Sequence, residues 1–303
     1  MGEQETKSIR RVKLLQMQAL PLSEKVRATA RRIEEWLTRF PDARISFSGG
    51  KDSTVLLHIA RMVKSDIKAA FADTGLEYPE IREFVFQTDN IETVKPKKSF
   101  LEVIKDYGYP LVSKRMAQYI GEVQRTKSDY LRALRLSGIR KDGTLSPMAK
   151  ISNKWQWLCT SDIKVSDKCC HYLKKQPMDA IGGNPIVGTM AGESNQRLEM
   201  YYRHGCNAFD LTRPRSAPMS FWTEADVWEY LKTNNVPYSR IYDMGYDRTG
   251  CMHCLFGVHL ETSPNRFERM AHTHTQIFKY CMDGPLGLRE ILRRVYGMEM
   301  PNP

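Results

Sequence analysis

The sequence predicts an α/β protein built on a doubly wound, mostly parallel sheet. Three observations carry that expectation. Short β-prone runs alternate with helical patterns in units of about 25 residues. The first such run passes directly into a glycine pair and an apolar helix, and a run of the same kind returns near residue 185 after a long interruption.

Taken in order, Leu22, Val26, Ile33, Leu37 and Phe40 recur at helical spacing, and Pro41-Asp42 closes the pattern. Residues 1–40 therefore read as a helical segment ahead of the sheet. Arg44-Ile-Ser-Phe-Ser48 is a short strand, Gly49-Gly50 a turn, and Thr54 to Val63 a buried helix. Ile67 to Ala72 is a second strand ending in Asp73-Thr74-Gly75; Pro79 suits a helix start, and Ile91 to Val94 is a third strand. Residues 95–175 are mostly helical in pattern, broken at Lys141 to Pro147, and read as an insertion. The sheet resumes at Asn184-Pro-Ile-Val-Gly-Thr189, again with glycine and polar residues just past the strand (Gly188, Gly192, Glu193, Ser194, Arg197). Trp222 to Leu231 is an amphipathic helix capped by Thr223, with Glu224 and Asp226 in its first turn. The expected division is a nucleotide-binding domain over 41–260, carrying the insert, and a C-terminal helical tail over 261–303.

Composition excludes several classes. With 303 residues, 41% hydrophobic and 27% charged, the chain is neither disordered nor collagenous and can bury a core without disulfides. No run approaches the roughly 18 apolar residues of a membrane span, and the first twenty residues are charged throughout. A soluble, cytoplasmic protein with no membrane partner is expected. The net charge of +11 is concentrated: residues 95–175 hold 18 Lys and Arg against 7 Asp and Glu, and the rest of the chain is neutral. Cations interleaved with Tyr107, Tyr109, Tyr119, Tyr130, Trp155 and Trp157 suit a nucleic acid with stackable bases; a solvated helical insert is the alternative.

Ser48-Gly-Gly-Lys-Asp-Ser53 lies between a strand and a helix, where backbone N–H groups and the helix dipole favour anions. Gly49 and Gly50 let the backbone approach phosphate, Ser48 and Ser53 offer hydroxyls and Lys51 offers charge. The spacing is not that of a Walker A loop. Asp52 and Asp73 are expected at the carboxyl ends of neighbouring strands, where they would hold Mg²⁺ bridging a phosphate; Asp52 as a helix cap is the alternative. Arg197 and Arg213 either neutralise a leaving pyrophosphate or form surface ion pairs.

Seven cysteines direct attention to metal or redox use. Cys169-Cys170 and Cys251-Met-His-Cys254 supply four thiolates, which suit Zn²⁺ or a [4Fe–4S] cluster. Adjacent cysteines are unusual for structural zinc, and the corners of a cluster lie far enough apart to accept them. His253 could hydrogen-bond a cluster sulfide. Cys159, Cys206 and Cys281 have no partner spacing and read as small core residues.

Ser46-Phe-Ser-Gly-Gly-Lys-Asp-Ser53 resembles the PP-loop of the ATP pyrophosphatase superfamily. Ala72-Asp-Thr-Gly-Leu-Glu-Tyr-Pro79, Gly188-Thr-Met-Ala-Gly-Glu-Ser-Asn-Gln-Arg197, and Arg213-Pro with Trp222-Thr-Glu-Ala-Asp-Val-Trp228 resemble, in order, motifs of its phosphoadenylyl-sulfate reductase-like branch. The resemblance covers about residues 40–260 and implies that Ser48 to Ser53, Asp73, Thr74, Gly75, Gly188, Glu193, Ser194, Arg197 and Arg213 contact ATP or an adenylyl sulfate. The Cys-Cys…Cys-x-x-Cys spacing is similar to that of iron–sulfur adenylyl-sulfate reductases and of the sulfurtransferase of DNA phosphorothioation, which implies a [4Fe–4S] cluster on Cys169, Cys170, Cys251 and Cys254.

Two departures shape the functional expectation. No cysteine follows Cys281 in residues 282–303, so the tail nucleophile that the resemblance to assimilatory reductases implies is not expected there, and Met190 stands where the motif often has arginine. The expected activity is cleavage of ATP to AMP and pyrophosphate, with Lys51, Asp52 and Asp73 in catalysis, activating a nucleic-acid or nucleotide substrate for sulfur transfer. The alternatives are an adenylyl-sulfate or phosphoadenylyl-sulfate reductase releasing sulfite, and a nucleotide-binding accessory subunit of a nucleic-acid complex. A sulfur-donor or reductant protein and a homodimer are the further partners expected.

Overall fold

The computed structural model describes residues 3–302. Its helices are α1 (Glu3–Gln18), α2 (Leu22–Arg39), α3 (Lys51–Val63), α4 (Pro79–Phe86), α5 (Phe100–Tyr107), α6 (Lys114–Arg125), α7 (Asp129–Ser137), α8 (Gln176–Ala180), α9 (Asn195–His204), α10 (Glu224–Thr233), α11 (Arg266–Thr273), α12 (Thr275–Asp283) and α13 (Leu288–Tyr296). Its strands are β1 (Arg44–Ser46), β2 (Ala69–Ala72), β3 (Ile91–Val94), β4 (Pro185–Val187), β5 (Asn207–Ala208) and β6 (Arg215–Ser216). The chain forms two compact units: one takes in residues up to 73, 77–95 and 177–249, the other 74–76, 96–176 and 250–303.

The first unit is a mixed α/β layer structure around one sheet. Strand order is β3-β2-β1-β4-β6-β5, parallel except for the β5–β6 pair. Ile45 is in register with Ala69 on one side and Ile186 on the other. The chain winds outward from β1 through β2 to β3, then returns as β4 on the opposite flank of β1. The carboxyl ends of β1 and β4 therefore form the topological switch point where open α/β sheets bind ligands. β2 starts at Ala69 rather than Ile67 because Ile67 N–H turns back to Lys64 O at 3.0 Å.

α3 buries Val55, Leu56, Leu57, Ile59 and Ala60 because β1 lies on one side of it and α2 and α10 on the other. Residues covered from both sides need no polar stripe. α2 contributes Ile33 and Trp36, both fully buried, each worth about 2–3 kcal/mol of transfer energy. Trp36 Nε1 donates to Asn184 O at 3.2 Å, and the indole packs on Phe40 and Phe209. α10 begins as expected at Thr223, whose hydroxyl accepts from Asp226 N–H while the Asp226 carboxylate accepts from Thr223 N–H. The same carboxylate receives the buried Lys25 ammonium, both oxygens at 2.7 Å, tying α10 to α2.

The second unit is helical. Gly108, at φ +108°, passes so close to Lys164 that a Cβ would lie 2.3 Å from its carbonyl carbon. That close crossing allows the parallel bridge between Tyr109 and Val165. Residues 261–303, expected as a tail, contribute to this unit's core through Phe267, Phe278, Leu288 and Leu292. Tyr296 OH accepts from Val112 N–H at 2.7 Å, and Tyr109 OH donates to Leu286 O at 2.9 Å. Among the described residues no helix is long and apolar enough to cross a membrane.

Candidate functional site

β1 delivers the chain into the loop 48–53. Gly49 adopts φ +72°, and a Cβ there would stand 2.6 Å from Val85 Cγ2, so both conformation and space require glycine. α3 begins at Lys51 with Gly50 as its N-cap, three residues before Thr54. Asp52 is thus inside the first turn and does not serve as the cap, a position held by Gly50, whose carbonyl accepts from the Ser53 and Thr54 hydroxyls at 2.9 and 3.0 Å. Ser48 and Ser53 brace one another, Oγ to Oγ at 3.0 Å, and Ser53 Oγ accepts from Ser48 N–H at 3.2 Å. The two hydroxyls therefore hold the shape of the loop.

The charged groups sit on that frame. Lys51 is buried, its Nζ 3.2 Å from Asp52 Oδ1 and 3.3 Å from Glu224 Oε1. Burial pulls the ammonium down, but Asp52, Glu224 and Tyr242 more than offset it and its pKa rises. Burial pushes the Asp52 carboxyl up, and the Lys51 ammonium offsets only part of that. Tyr242, which has no motif to mark it, accepts the Lys51 N–H at 2.8 Å and meets Thr249 Oγ1 at 3.2 Å. Both groups close over Gly50, where a Cβ would lie 3.0 Å from Thr249 Oγ1.

The 188–197 segment reaches the same place from β4. A Cβ on Gly188 would stand 3.0 Å from Asp52 O and 3.1 Å from Ser53 Cα, so this glycine permits the approach. Glu193 Oε1 accepts from Met190 N–H, Glu193 pairs with Arg197, and Ser194 caps α9 by accepting from Arg197 N–H. These contacts hold Arg197 in the field of Asp52. Burial lowers the Arg197 pKa, and Arg248 and Arg215 lower it further. Lys51 and Arg197 thus lie beside Asp52 at the switch point, each already facing a carboxylate, with Arg248 and Arg215 adding positive field at Arg197.

Asp73 is buried and both its oxygens accept from Arg82, Nε and Nη2 at 3.0 Å each. Its charge already has a partner, which sequence spacing gave no means of finding. Arg213 is exposed and pairs with Asp179, the surface alternative. The division between units falls after Asp73. In the second unit Thr74 Oγ1 accepts from Leu76 N–H at 3.2 Å, and Gly75, at φ +72°, has open space beside it.

The second unit holds all four candidate thiols. Cys169 is buried and the other three are half-buried. The Cys169 pKa rises through its hydrogen bond with Cys170, then burial, then the fields of Cys170, Cys254 and Cys251. Cys170 is brought down to about 6, first by the Cys169 hydrogen bond, against burial, and then by Lys114, Lys174 and Lys175. Among the described residues no three His, Cys, Asp or Glu side chains are grouped as a metal site. His253, between Phe100 and Tyr280, is buried with neither ring nitrogen hydrogen-bonded, and burial brings its pKa to about 4. Cys206 and Cys281 are buried, with pKa values raised by burial.

The phosphoadenosine phosphosulfate reductase domain family matches residues 42–256. An uncharacterized protein of Methanocaldococcus jannaschii is 24% identical over 242 residues, 78% of this chain and 46% of that protein. The adenosine 5'-phosphosulfate reductase of Staphylococcus haemolyticus is 24% identical over 230 residues, 74% of this chain and 76% of that protein. The chain spans about half the length of some of the curated relatives it matches. Among solved structures, phosphoadenylyl-sulfate reductase from Candida auris in a phosphate complex shares 16% identity at a TM-score of 0.43, covering 84% of this chain and 97% of that one.

Proposed function

The chain belongs to the phosphoadenosine phosphosulfate reductase domain family, and on that premise we propose that it binds ATP at the loop 48–53 and cleaves it to AMP and pyrophosphate, activating a nucleotide or nucleic-acid acceptor for sulfur transfer. Asp52 carries this reading. A carboxylate inside an anion loop repels phosphate unless a cation accompanies it, and burial already disfavours its charge. A divalent cation travelling with a polyphosphate resolves both problems. Asp52 fits Mg²⁺ because its side chain keeps 26% exposure and only Lys51 offsets its charge closely; Asp73, held at both oxygens by Arg82, does not. Bound through Asp52 and phosphate oxygens, Mg²⁺ would supply charge neutralisation on the departing pyrophosphate.

The chain's own groups then divide the work. Backbone N–H groups at the start of α3 and the Lys51 ammonium hold the phosphates, while Glu193 and Ser194 position Arg197 toward the leaving group. An acceptor oxygen attacks the α phosphorus, the bond to the bridging oxygen breaks, and its electron pair leaves on pyrophosphate. The acceptor proton passes to solvent. A sulfide equivalent from a sulfur-donor protein then displaces AMP, forming the bond to sulfur as the bond to the adenylated oxygen breaks.

Among the described residues the four thiols are not grouped as a metal site, and a [4Fe–4S] cluster on them is supported instead by the Cys-Cys…Cys-x-x-Cys spacing and by their lying in one unit. Cys169 lies in the fields of Cys170, Cys254 and Cys251, Lys114, Lys174 and Lys175 act on Cys170, and His253 presents two unpartnered buried nitrogens within the Cys251–Cys254 loop. Cys169, Cys170, Cys251 and Cys254 would hold the cluster, and it would supply electrons or a binding place for the incoming sulfur. Incubation of the anaerobically purified protein with ATP and Mg²⁺ should give AMP and pyrophosphate; ADP as sole product contradicts the reading.

A second reading is favoured by the relatives' names: adenylyl-sulfate reduction, with sulfite released at the expense of a thiol reductant. Sulfite formed from adenylyl sulfate and thioredoxin, with ATP left intact, would establish it instead.

A further inference from the structure

We propose that α6, α7 and the segment 138–157 form a binding surface for single-stranded nucleic acid. α7 is capped at both ends, by Ser128 and by Gly138 in the left-handed region, yet has no buried residue. Arg135 anchors it: its guanidinium pairs with Glu122, stacks 3.5 Å from the Tyr119 ring and donates to Ala149 O, and its carbonyl accepts from Ile151 N–H. A helix held this way leaves Asp129, Tyr130 and Ala133 exposed and its other residues half-buried.

Charge and apolar area coincide on that surface. Residues 114–157 contain ten Lys and Arg against three Asp and Glu. All three acids are engaged: Glu122 with Arg135, Asp129 with Arg132, and Asp142 with the hydroxyl and N–H of Thr144. Arg115, Arg125, Lys127, Arg140, Lys141 and Lys154 are exposed, and among the described residues none ion-pairs with a carboxylate. Beside them Tyr130, Ile139, Leu145, Met148 and Trp157 are also exposed, Leu145 and Met148 at 66%.

The patch is continuous. Arg115 reaches Met148 Sδ at 3.9 Å, Tyr119 OH donates to Met148 O, Ile139 pairs with Leu145, and Lys141 Nζ stands 5.0 Å from the Tyr130 ring. Gln156 donates to Leu136 O at 2.8 Å, bringing the Trp157 turn against α7. Unpaired cations complement a polyanion, and exposed aromatic and thioether groups complement flat, unstacked bases. Duplex offers the charge and hides the bases, so the combination favours a single strand.

This inference names the acceptor class for the sulfur-transfer reading and rests on it only for the use made of the bound strand. Binding is measured on the full chain without ATP, by anisotropy of a labelled single-stranded oligonucleotide against its duplex and inorganic polyphosphate. The single strand is expected to bind most tightly, with log affinity falling against log salt at about −0.7 per phosphate neutralised, roughly −4 for six contacts. Arg115→Glu with Lys141→Glu should weaken binding more than tenfold and flatten that slope. Tyr130→Ala with Trp157→Ala, folded by circular dichroism, should cost the single strand about tenfold and polyphosphate nothing. Equal affinity for polyphosphate, preference for duplex, or indifference to both variant pairs overturns the proposal. Lost oligonucleotide binding with AMP formation intact overturns this surface alone; absent AMP formation with binding intact overturns the ATP reading alone.

Discussion

Lys51 and Asp52 are adjacent in sequence and opposite in charge, and they pair at 3.2 Å; the proposed cation site rests on the second. Replacing Asp52 by Asn keeps its size and removes its charge, so the variant should fold normally and form AMP on the order of 10²-fold more slowly, read by initial rates at saturating Mg²⁺. Wild-type folding with undiminished turnover would move the site elsewhere. Gly49→Ala tests the frame instead. Its φ of +72° and the 2.6 Å approach to Val85 predict a loss of about 1–3 kcal/mol, measured as a lowered urea midpoint. Ser48 to Ser53 were legible because the loop is one contiguous string whose chemistry follows from residue type. Tyr242, Glu224, Thr249 and Arg82 were not: each acts through a tertiary approach, and a single Tyr or Arg has no spacing to betray it.

α10 shows the same divide one level up. Its capping box could be read from Thr223 and Asp226, three residues apart, but the Lys25 pairing spans 201 positions and depends on how α2 crosses the sheet. Burial raises the Asp226 pKa, and hydrogen bonds from Lys25 and from the N–H and hydroxyl of Thr223 more than reverse this, leaving it below 3.8. The folded value is depressed, so the contribution is present above the unfolded pKa and lost as pH falls through the folded one. Asp226→Asn, which strands a buried ammonium, should lower stability at neutral pH by about 3 kcal/mol. The difference from wild type should shrink below about pH 4. Denaturant melts across that range check it, and a constant difference would show that the pair's charge is not what stabilises the fold.

Across the whole chain, the alternation of strands and helices was legible because β1 to β3 follow each other with short helical crossovers. The placement of β4 beside β1 depends on the chain leaving the sheet for residues 96–176. Gathering 250–303 with 96–176 was less legible, since Val112 to Tyr296 and Asp162 to Arg294 are contacts between distant segments with ordinary local patterns. That gathering places Cys169, Cys170, Cys251 and Cys254 in one unit. Anaerobic wild type should therefore carry a broad visible absorption with iron and sulfide in equal amounts, and Cys251→Ser should lose it; a colourless wild type reconstituted under reducing conditions would contradict the cluster. The central claim concerns the other unit, and product identity tests it most directly. With ATP labelled at the α and γ phosphates and Mg²⁺ present, the account predicts label in AMP and in pyrophosphate in equal amounts. Label in ADP and inorganic phosphate, or unchanged ATP while adenylyl sulfate yields sulfite, would contradict it.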